Sequence, residues 1–269
     1  MSPGTISELN KKAYGNIEKW RNRSLVGEYP YVYLDGIVLK RSWGGEVRNV
    51  SVLVAIAVNS DGFREILGVC EGDKEDKEGW LSFVRHLKKR GLRGVRLFIS
   101  DCCIGLVESL GECYPSCRWQ RCVVHFYRNV FSVVPHKMMR EVAAMLKAIH
   151  AQEDYASAIE KSNAVSTKLR KMKLRKAADK VSESIAETLT YMEYPREHWV
   201  RIRTNNGLER LLREIRRRTR VVGCFPDGNS ALMLSAARLR HVAGTVWSSK
   251  RYLNMSLLKE IEFVEEKAA

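Results

Sequence analysis

Residues 203–223 have the sequence RTNNGLERLLREIRRRTRVVG, which predicts an amphipathic helix. Its apolar residues recur at helical offsets, namely Leu208, Leu211, Leu212, Ile215 and Val222. A neighbouring stripe of the same helix is basic and contains Arg210, Arg213, Arg217 and Arg220. We therefore expect one face of this helix to pack on a core and the next face to attract phosphate groups.

Glu209 falls in the first turn of this helix if Asn206 is its N-cap. A structural role is available to this acid, either in a capping box or as the i,i+4 partner of Arg213. A catalytic role would require further carboxylates elsewhere in the chain.

Composition points to a folded protein with a polyanionic partner. The chain of 269 residues can bury a full core, as one large domain or two, and its 45% of hydrophobic residues argues against overall disorder. Lys and Arg number 46 against 31 Asp and Glu, which gives a net charge of +15 and favours nucleic acid as the partner.

The same composition bears on location. The N-terminus has no apolar signal region, and no apolar run approaches the ~20 residues that a membrane span needs. Seven cysteines, an odd number, favour reduced thiols over a disulfide framework. We expect a cytoplasmic, nucleoid-associated protein.

Residues 29–99 predict most of a mixed sheet. β-Branched and aromatic runs at 29–41, 49–58 and 64–70 predict three consecutive antiparallel strands. Residues 73–90 have helical period with Trp80, Phe83, Val84 and Leu87 on one face, and a short strand is expected at 95–99. A strand, helix and strand in succession form a crossover unit, so this fourth strand should lie parallel to a neighbour.

The rest of the chain predicts a helical block inside an α/β protein. Helices are expected at 104–111, 122–134 and 229–242, with a short strand at 118–120. Residues 137–193 contain no strand pattern and no glycine. We therefore divide the chain into a helical lead-in (1–28), the first part of an α/β core (29–134), an all-helical insertion (135–200), the second part of the core (201–256) and a charged tail (257–269).

Three acids stand at positions typical of catalytic carboxylates. Asp35 lies in the middle of a predicted strand, Asp101 follows a strand end, and Glu209 begins a helix. Each also has a structural interpretation: Asp35 in a turn with Gly36, Asp101 as an N-cap, and Glu209 in a capping box. Together, the three could hold two Mg²⁺ ions, which prefer hard oxygen ligands.

Several long motifs resemble the Mutator-type family of bacterial insertion-sequence transposases. They are YLDG at 33–36, SDCCIGL at 100–106, WQRCVVHFYRN at 119–129, RTNNGLERLLREIRRRTRVVGCFP at 203–226 and WSSKRYLNM at 247–255. The resemblance implies a ribonuclease-H-like catalytic core with an all-helical insertion between the second acid and the third. It also implies that the family's Asp, Asp, Glu triad corresponds to Asp35, Asp101 and Glu209.

The chain departs from the family pattern at three places. Cys103 stands where the family usually has His, and Leu212 stands where it often has Asn. Residues 1–28 predict at most one helix where family members usually carry a sizeable DNA-binding region. We therefore expect little preference for the ends of an insertion element over scrambled duplex DNA.

Cys113, Cys117, Cys122 and His125 lie close together in the sequence. Their spacing fits no common zinc site, so we expect no stoichiometric zinc. Cys122 and His125 match the family's C-x-x-H motif, which suggests an auxiliary role near the acids, with His125 contacting a phosphate. A packed core cysteine and a hydrogen-bonded histidine are the alternative.

Two aromatic residues have a further possible role. Trp119 and Tyr191 are most simply packing residues, but either could stack on a flipped base at a cleaved DNA end.

The sequence as a whole indicates a DDE-type transposase that cleaves DNA and transfers the 3′ end, using two Mg²⁺ ions for which Mn²⁺ may substitute. Its partners would be the transposon ends and target DNA, bound by a homo-oligomer. The predicted DNA-binding residues are Arg203, Arg210, Arg213, Arg217 and Arg220. The rivals are a ribonuclease-H-like nuclease that hydrolyses without joining, and an inactive remnant that only binds DNA.

Overall fold

The computed structural model describes residues 3–43, 45–72 and 77–258. The predicted helix start at 73–76 and nearly all of the predicted charged tail lie outside these ranges. Contacts divide the chain into two compact units. Unit 1 comprises residues 1–98, 103–117 and 206–255, and unit 2 comprises residues 99–102, 118–205 and 256–269.

Three antiparallel strands form the largest part of the sheet, as predicted. They are β1 (Tyr31–Trp43), β2 (Glu46–Val58) and β3 (Arg64–Gly72). β1 pairs with β2 along its whole length, whereas β3 pairs only with the second half of β2, from Ser51 to Val58. With β4 (Leu97–Ser100) and β5 (Arg118–Arg121), the strand order is β3-β2-β1-β4-β5.

Unit 1 contains six described helices, most of which contact the three antiparallel strands. The helices are α1 (Pro3–Arg21), α2 (Lys77–Lys89), α3 (Ile104–Cys113), α9 (Asn206–Thr219), α10 (Gly228–Ala243) and α11 (Val246–Ser249). The apolar face predicted for α2 is buried, with Trp80, Phe83, Val84 and Leu87. Gly68 allows the close approach of α2 to β3, because a Cβ atom there would lie 3.0 Å from Cδ2 of Leu87.

Unit 2 is helical after β5 within its described residues, which agrees with the strand-free pattern of the sequence. Its helices are α4 (Val123–Phe131), α5 (Met139–Ile149), α6 (Tyr155–Lys171), α7 (Arg175–Ser184) and α8 (Trp199–Ile202). Short 3₁₀ turns occur at His136–Met138, Ala186–Thr188, Thr190–Glu193 and Arg196–His198. The contacts group α4 with these helices, whereas the sequence-based division assigned it to the α/β core.

No described helix is long and apolar enough to cross a membrane.

A buried histidine stands in the core of unit 2. Nδ1 of His150 lies 3.1 Å from the Tyr127 hydroxyl, and Nε2 lies 2.9 Å from Oγ1 of Thr188. Burial lowers the pKa of His150 to about 4, and the nearby positive charge of Arg203 acts in the same direction. The imidazole is therefore neutral in the folded protein at neutral pH.

We expect this histidine to destabilise the fold in acid. Since the folded-state pKa lies below the unfolded value, the unfolded chain binds the proton first, and stability falls as the pH drops below about 6.5. The free energy of unfolding attributable to His150 should fall by about 2 kcal/mol between pH 7 and pH 5. Urea unfolding of the wild type and of His150→Asn at both pH values measures this effect. An equal pH dependence in the two proteins would contradict it, and the exposed His136→Asn is the control.

Candidate active site

Asp35 lies at the centre of β1, where it pairs with Val54 of β2. The turn interpretation of Asp35 is therefore wrong. Its Oδ1 accepts a hydrogen bond of 2.8 Å from the backbone N–H of Gly36, and Asp35 is half-buried in a strand whose Leu34 and Ile37 are buried. A carboxylate in such an apolar strand is costly unless it is compensated.

The face of β1 that carries Asp35 also carries Arg41, by the alternation of side chains along a strand. Nη1 of Arg41 lies 3.2 Å from Oε1 of Glu71 on β3. A Cβ atom at Gly228 would lie 1.8 Å from that same oxygen. α10 therefore begins on the face of the sheet that carries Asp35.

Glu209 lies in the first turn of α9, as predicted, and is half-buried. The helix begins at Asn206, so that Asn205 and not Asn206 precedes it. Four apolar side chains of the predicted face are buried, namely Leu208, Leu211, Leu212 and Ile215, and α9 packs against β1. Val222 was wrongly placed on this face, because α9 ends at Thr219 and the Val222 side chain is exposed.

Asp101 directly follows β4, whose four residues are all buried. The N-cap of α3 is Cys103, so the alternative that Asp101 caps this helix is wrong. Two hydrogen bonds of Ser100 hold the backbone next to Asp101. The Ser100 carbonyl accepts from the N–H of Cys122 at 2.7 Å, and its Oγ accepts from Nε1 of Trp119 at 2.9 Å.

Cys122 and His125 lie at the start of α4, with buried Cys122 as the N-cap residue and half-buried His125 in the first turn. Sγ of Cys122 accepts a hydrogen bond of 3.2 Å from the backbone N–H of Asn205. The N–H of Val123 donates to the Arg203 carbonyl at 3.1 Å. These bonds fix the residues that immediately precede α9, the helix of Glu209. The buried Asn205 is a site residue that the sequence analysis missed, and a wholly buried Asn before a helix is not visible in sequence.

The predicted site residues are therefore distributed over both units. Asp35 and Glu209 belong to unit 1, where the helix of Glu209 packs on the strand of Asp35. Asp101, Cys122 and His125 belong to unit 2, where the bonds of Ser100 and Cys122 connect the end of β4 to the start of α4.

Cys113 and Cys117, the other two cysteines of the cluster noted in the sequence, lie in different surroundings from each other. Cys113 is buried in α3, and the thiol of Cys117 donates to the Val95 carbonyl at 3.0 Å. Among the described residues, neither belongs to a group of three potential metal ligands. The absence of zinc stays a prediction.

The predicted basic stripe is exposed at Arg210, Arg213 and Arg217 of α9 and at Arg220, which directly follows the helix. Arg217 is engaged by Glu214, with Nε and Nη2 at 3.0 and 3.1 Å from the two carboxylate oxygens. Arg218 and Arg238 bind the same carboxylate. The hydrogen bonds from Arg217 and Arg218 lower the pKa of Glu214 to about 2. Glu214 therefore offsets part of the positive charge of this face.

Two residues of unit 2 differ from expectation. Tyr191 is fully buried and meets the Trp199 ring edge-on at 5.3 Å between centroids, so stacking on a flipped base is wrong for this residue. Arg203 is half-buried, and its positive charge partly offsets the effect of burial, which raises the pKa of the nearby Tyr191 hydroxyl. Trp119 remains half-exposed beside Ser100.

Comparison with known proteins places these residues in a family context. The family model described as "Transposase, Mutator family" matches residues 1–247. The chain is 36% identical to the transposase for insertion sequence element IS1081 of Mycobacterium tuberculosis, over 96% of this chain and 62% of that protein. It is 36% identical to the ISRM5 transposase of Rhizobium meliloti, over 96% of this chain and 65% of that protein.

A third relative is more distant. The chain is 32% identical to the transposase for IS256 in transposon Tn4001 of Staphylococcus aureus, over 94% of this chain and 66% of that protein. The chain thus spans just under two thirds of the length of these relatives.

Proposed function

The chain belongs to the Mutator family of transposases, and from that premise we propose that it cleaves a DNA phosphodiester bond and transfers the resulting 3′ end to target DNA. The observation that carries the proposal is the packing of α9, with Glu209 in its first turn, against β1, with Asp35 at its centre. Asp101 follows β4, the neighbour of β1 in the sheet. We infer that the three carboxylates act together in the chemistry.

The strand order supports a ribonuclease-H-like core. Three antiparallel strands are followed by two short strands on the β1 edge, in the order β3-β2-β1-β4-β5. The helical residues between β5 and α9 correspond to the insertion that the family resemblance implies. This assignment of the fold is part of the proposal.

The donor chemistry of the three acids fits Mg²⁺. They offer only oxygen ligands, which Mg²⁺ and Mn²⁺ prefer, and the half-buried carboxylate of Asp35 in an apolar strand would be compensated by a cation. Asp35, Asp101 and Glu209 would hold two ions. When bound, such ions lower the pKa of a water or 3′-hydroxyl and stabilise the charge of an in-line phosphoryl transfer.

The contribution of the protein is to hold the proposed catalytic carboxylates in place. The hydrogen bonds of Ser100 to Trp119 and Cys122 fix the backbone next to Asp101, and the buried apolar face of α9 fixes the turn that carries Glu209. Because groups held in the productive geometry need no reorganisation during reaction, this rigidity contributes directly to the rate. His125, half-buried in the first turn of α4, is proposed to contact a flanking phosphate.

The exposed arginines of α9 would hold DNA through its phosphates, without choice of sequence. Their contributions should differ. Arg213→Ala should lower the slope of log K against log salt by roughly 1, whereas Arg217→Ala should lower it by less because Glu214 already offsets part of the charge of that guanidinium. Fluorescence anisotropy across a KCl series measures both slopes. Equal slope losses, or a loss that depends on DNA sequence, would contradict this.

A nicking assay on supercoiled plasmid tests the proposal against a protein that only binds DNA. Nicks with 3′-hydroxyl ends, formed only with a divalent metal ion, are the expected result. Tight DNA binding without any nicking would favour the binding-only alternative.

A further inference from the structure

A run of exposed basic residues lies in unit 2. Residues 168–176 read KLRKMKLRK, with six basic residues and no acid, and they join α6 to α7. Two of the six are paired, Lys168 with Glu141 and Arg170 with Asp179. The other four are all exposed, and within the described part of the chain no ion pair involves them. They are Lys171, Lys173, Arg175 and Lys176, which we call the α6–α7 tip.

Lys173 has a backbone conformation that favours glycine. Its φ is +62°, in the left-handed region, and it is the only described residue other than glycine with a positive φ. Its N–H donates to the Arg170 carbonyl, and the N–H of Leu174 donates to the Leu169 carbonyl, both at 2.9 Å. This pair of bonds is the Schellman arrangement, in which the left-handed position is usually Gly. A lysine here therefore weakens the fold relative to glycine.

Arg175 and Lys176 are also unfavourable for the local fold. They are the first two residues of α7, whose first turn contains no acid and whose N-cap, Leu174, provides no side-chain hydrogen bond. The N-terminus of a helix carries partial positive charge, so cations there are destabilising and anions are favoured. Only Lys171, in the last turn of α6, stands where a cation helps its helix.

Arg175 and Lys176 thus carry positive charge where it opposes the dipole of α7, and Lys173 occupies a backbone position that favours glycine, which together indicate that these cations serve an anionic ligand. The uncapped N–H groups at the start of α7 would add to the attraction of a phosphate. With a chain charge of +15, the partner of matching chemistry is the phosphate backbone of DNA. We propose that the α6–α7 tip binds duplex DNA through its phosphates, as a contact separate from the arginines of α9. This inference rests on the proposed function, since it takes DNA as the partner.

The test compares two variants that lose equal charge. One is Lys171→Gln, Lys173→Gln, Arg175→Gln and Lys176→Gln combined. The control combines Lys137→Gln, Arg140→Gln, Lys147→Gln and Lys161→Gln, which are equally exposed and lie in the same unit. The tip variant should lower the salt slope of DNA binding by about 3 and weaken binding at physiological salt at least about tenfold. The control should change the slope by less than about 1.

The variant Lys173→Gly distinguishes a role of Lys173 in DNA binding from a role in folding. It removes the charge and relieves the left-handed strain, so it should raise the melting temperature while lowering the salt slope by about 1. A slope unchanged from wild type in the tip variant, or an equal loss in the control, would overturn the inference while leaving the proposed function standing. A wild-type protein that does not bind duplex DNA would overturn both.

Discussion

Asp35→Asn, Asp101→Asn and Glu209→Gln should each lower the rates of DNA nicking and joining by about a thousandfold or more, because each removes a negative oxygen ligand from the proposed metal site. Affinity for duplex DNA should stay within about threefold of wild type, since phosphate binding is assigned to basic side chains. Nicking rates on plasmid and anisotropy on a short duplex measure the two effects separately.

A matched control comes from the helix that follows Asp101. Glu108→Gln removes an equally acidic side chain from α3, where the carboxylate forms an exposed ion pair with Lys77. Such surface pairs contribute little to stability, so this variant should nick at the wild-type rate. Near-normal nicking by any one of the three site variants would remove that residue from the proposed set.

Removal of divalent ions should abolish the chemistry and leave the fold intact. In excess EDTA we expect nicking to fall by about a thousandfold or more, and Mg²⁺ or Mn²⁺ should restore it. Ca²⁺ has the same charge but takes more ligands in looser geometry, so it should support DNA binding without efficient cleavage. The far-ultraviolet circular dichroism and melting temperature serve as the control for folding.

Two outcomes would count against this account of the metal. Equal turnover in EDTA would exclude a catalytic divalent ion, and a large loss of melting temperature in EDTA would make the ion structural. Neither result would bear on the family assignment, which rests on sequence.

Much of the α/β part could be predicted from local pattern. The alternation in β1 and the apolar runs of β2 and β3 predicted an antiparallel trio, which the structure confirms. The apolar period of α2 predicted its buried face residue by residue. These features depend on short-range periodicity, which one sequence records directly.

Contacts between distant residues could not be predicted in this way. The bond from Asn205 to Cys122, the proximity of Arg203 to Tyr191 and the burial of Tyr191 all depend on tertiary packing. The same is true of Glu214, which recruits Arg238 from another helix in addition to Arg217 and Arg218 on its own. The sequence stripe of arginines therefore overstated the charge available to DNA at Arg217.

The measurement that tests the central claim most directly is a strand-transfer assay. A labelled duplex with a pre-cut 3′-hydroxyl end is incubated with supercoiled plasmid, Mg²⁺ and the protein, and the products are separated under denaturing conditions. We predict that the label becomes covalently joined to plasmid DNA, and that the joined product disappears with Asp101→Asn. Plasmid that is nicked while the label never joins would contradict the account and identify the protein as a hydrolytic nuclease.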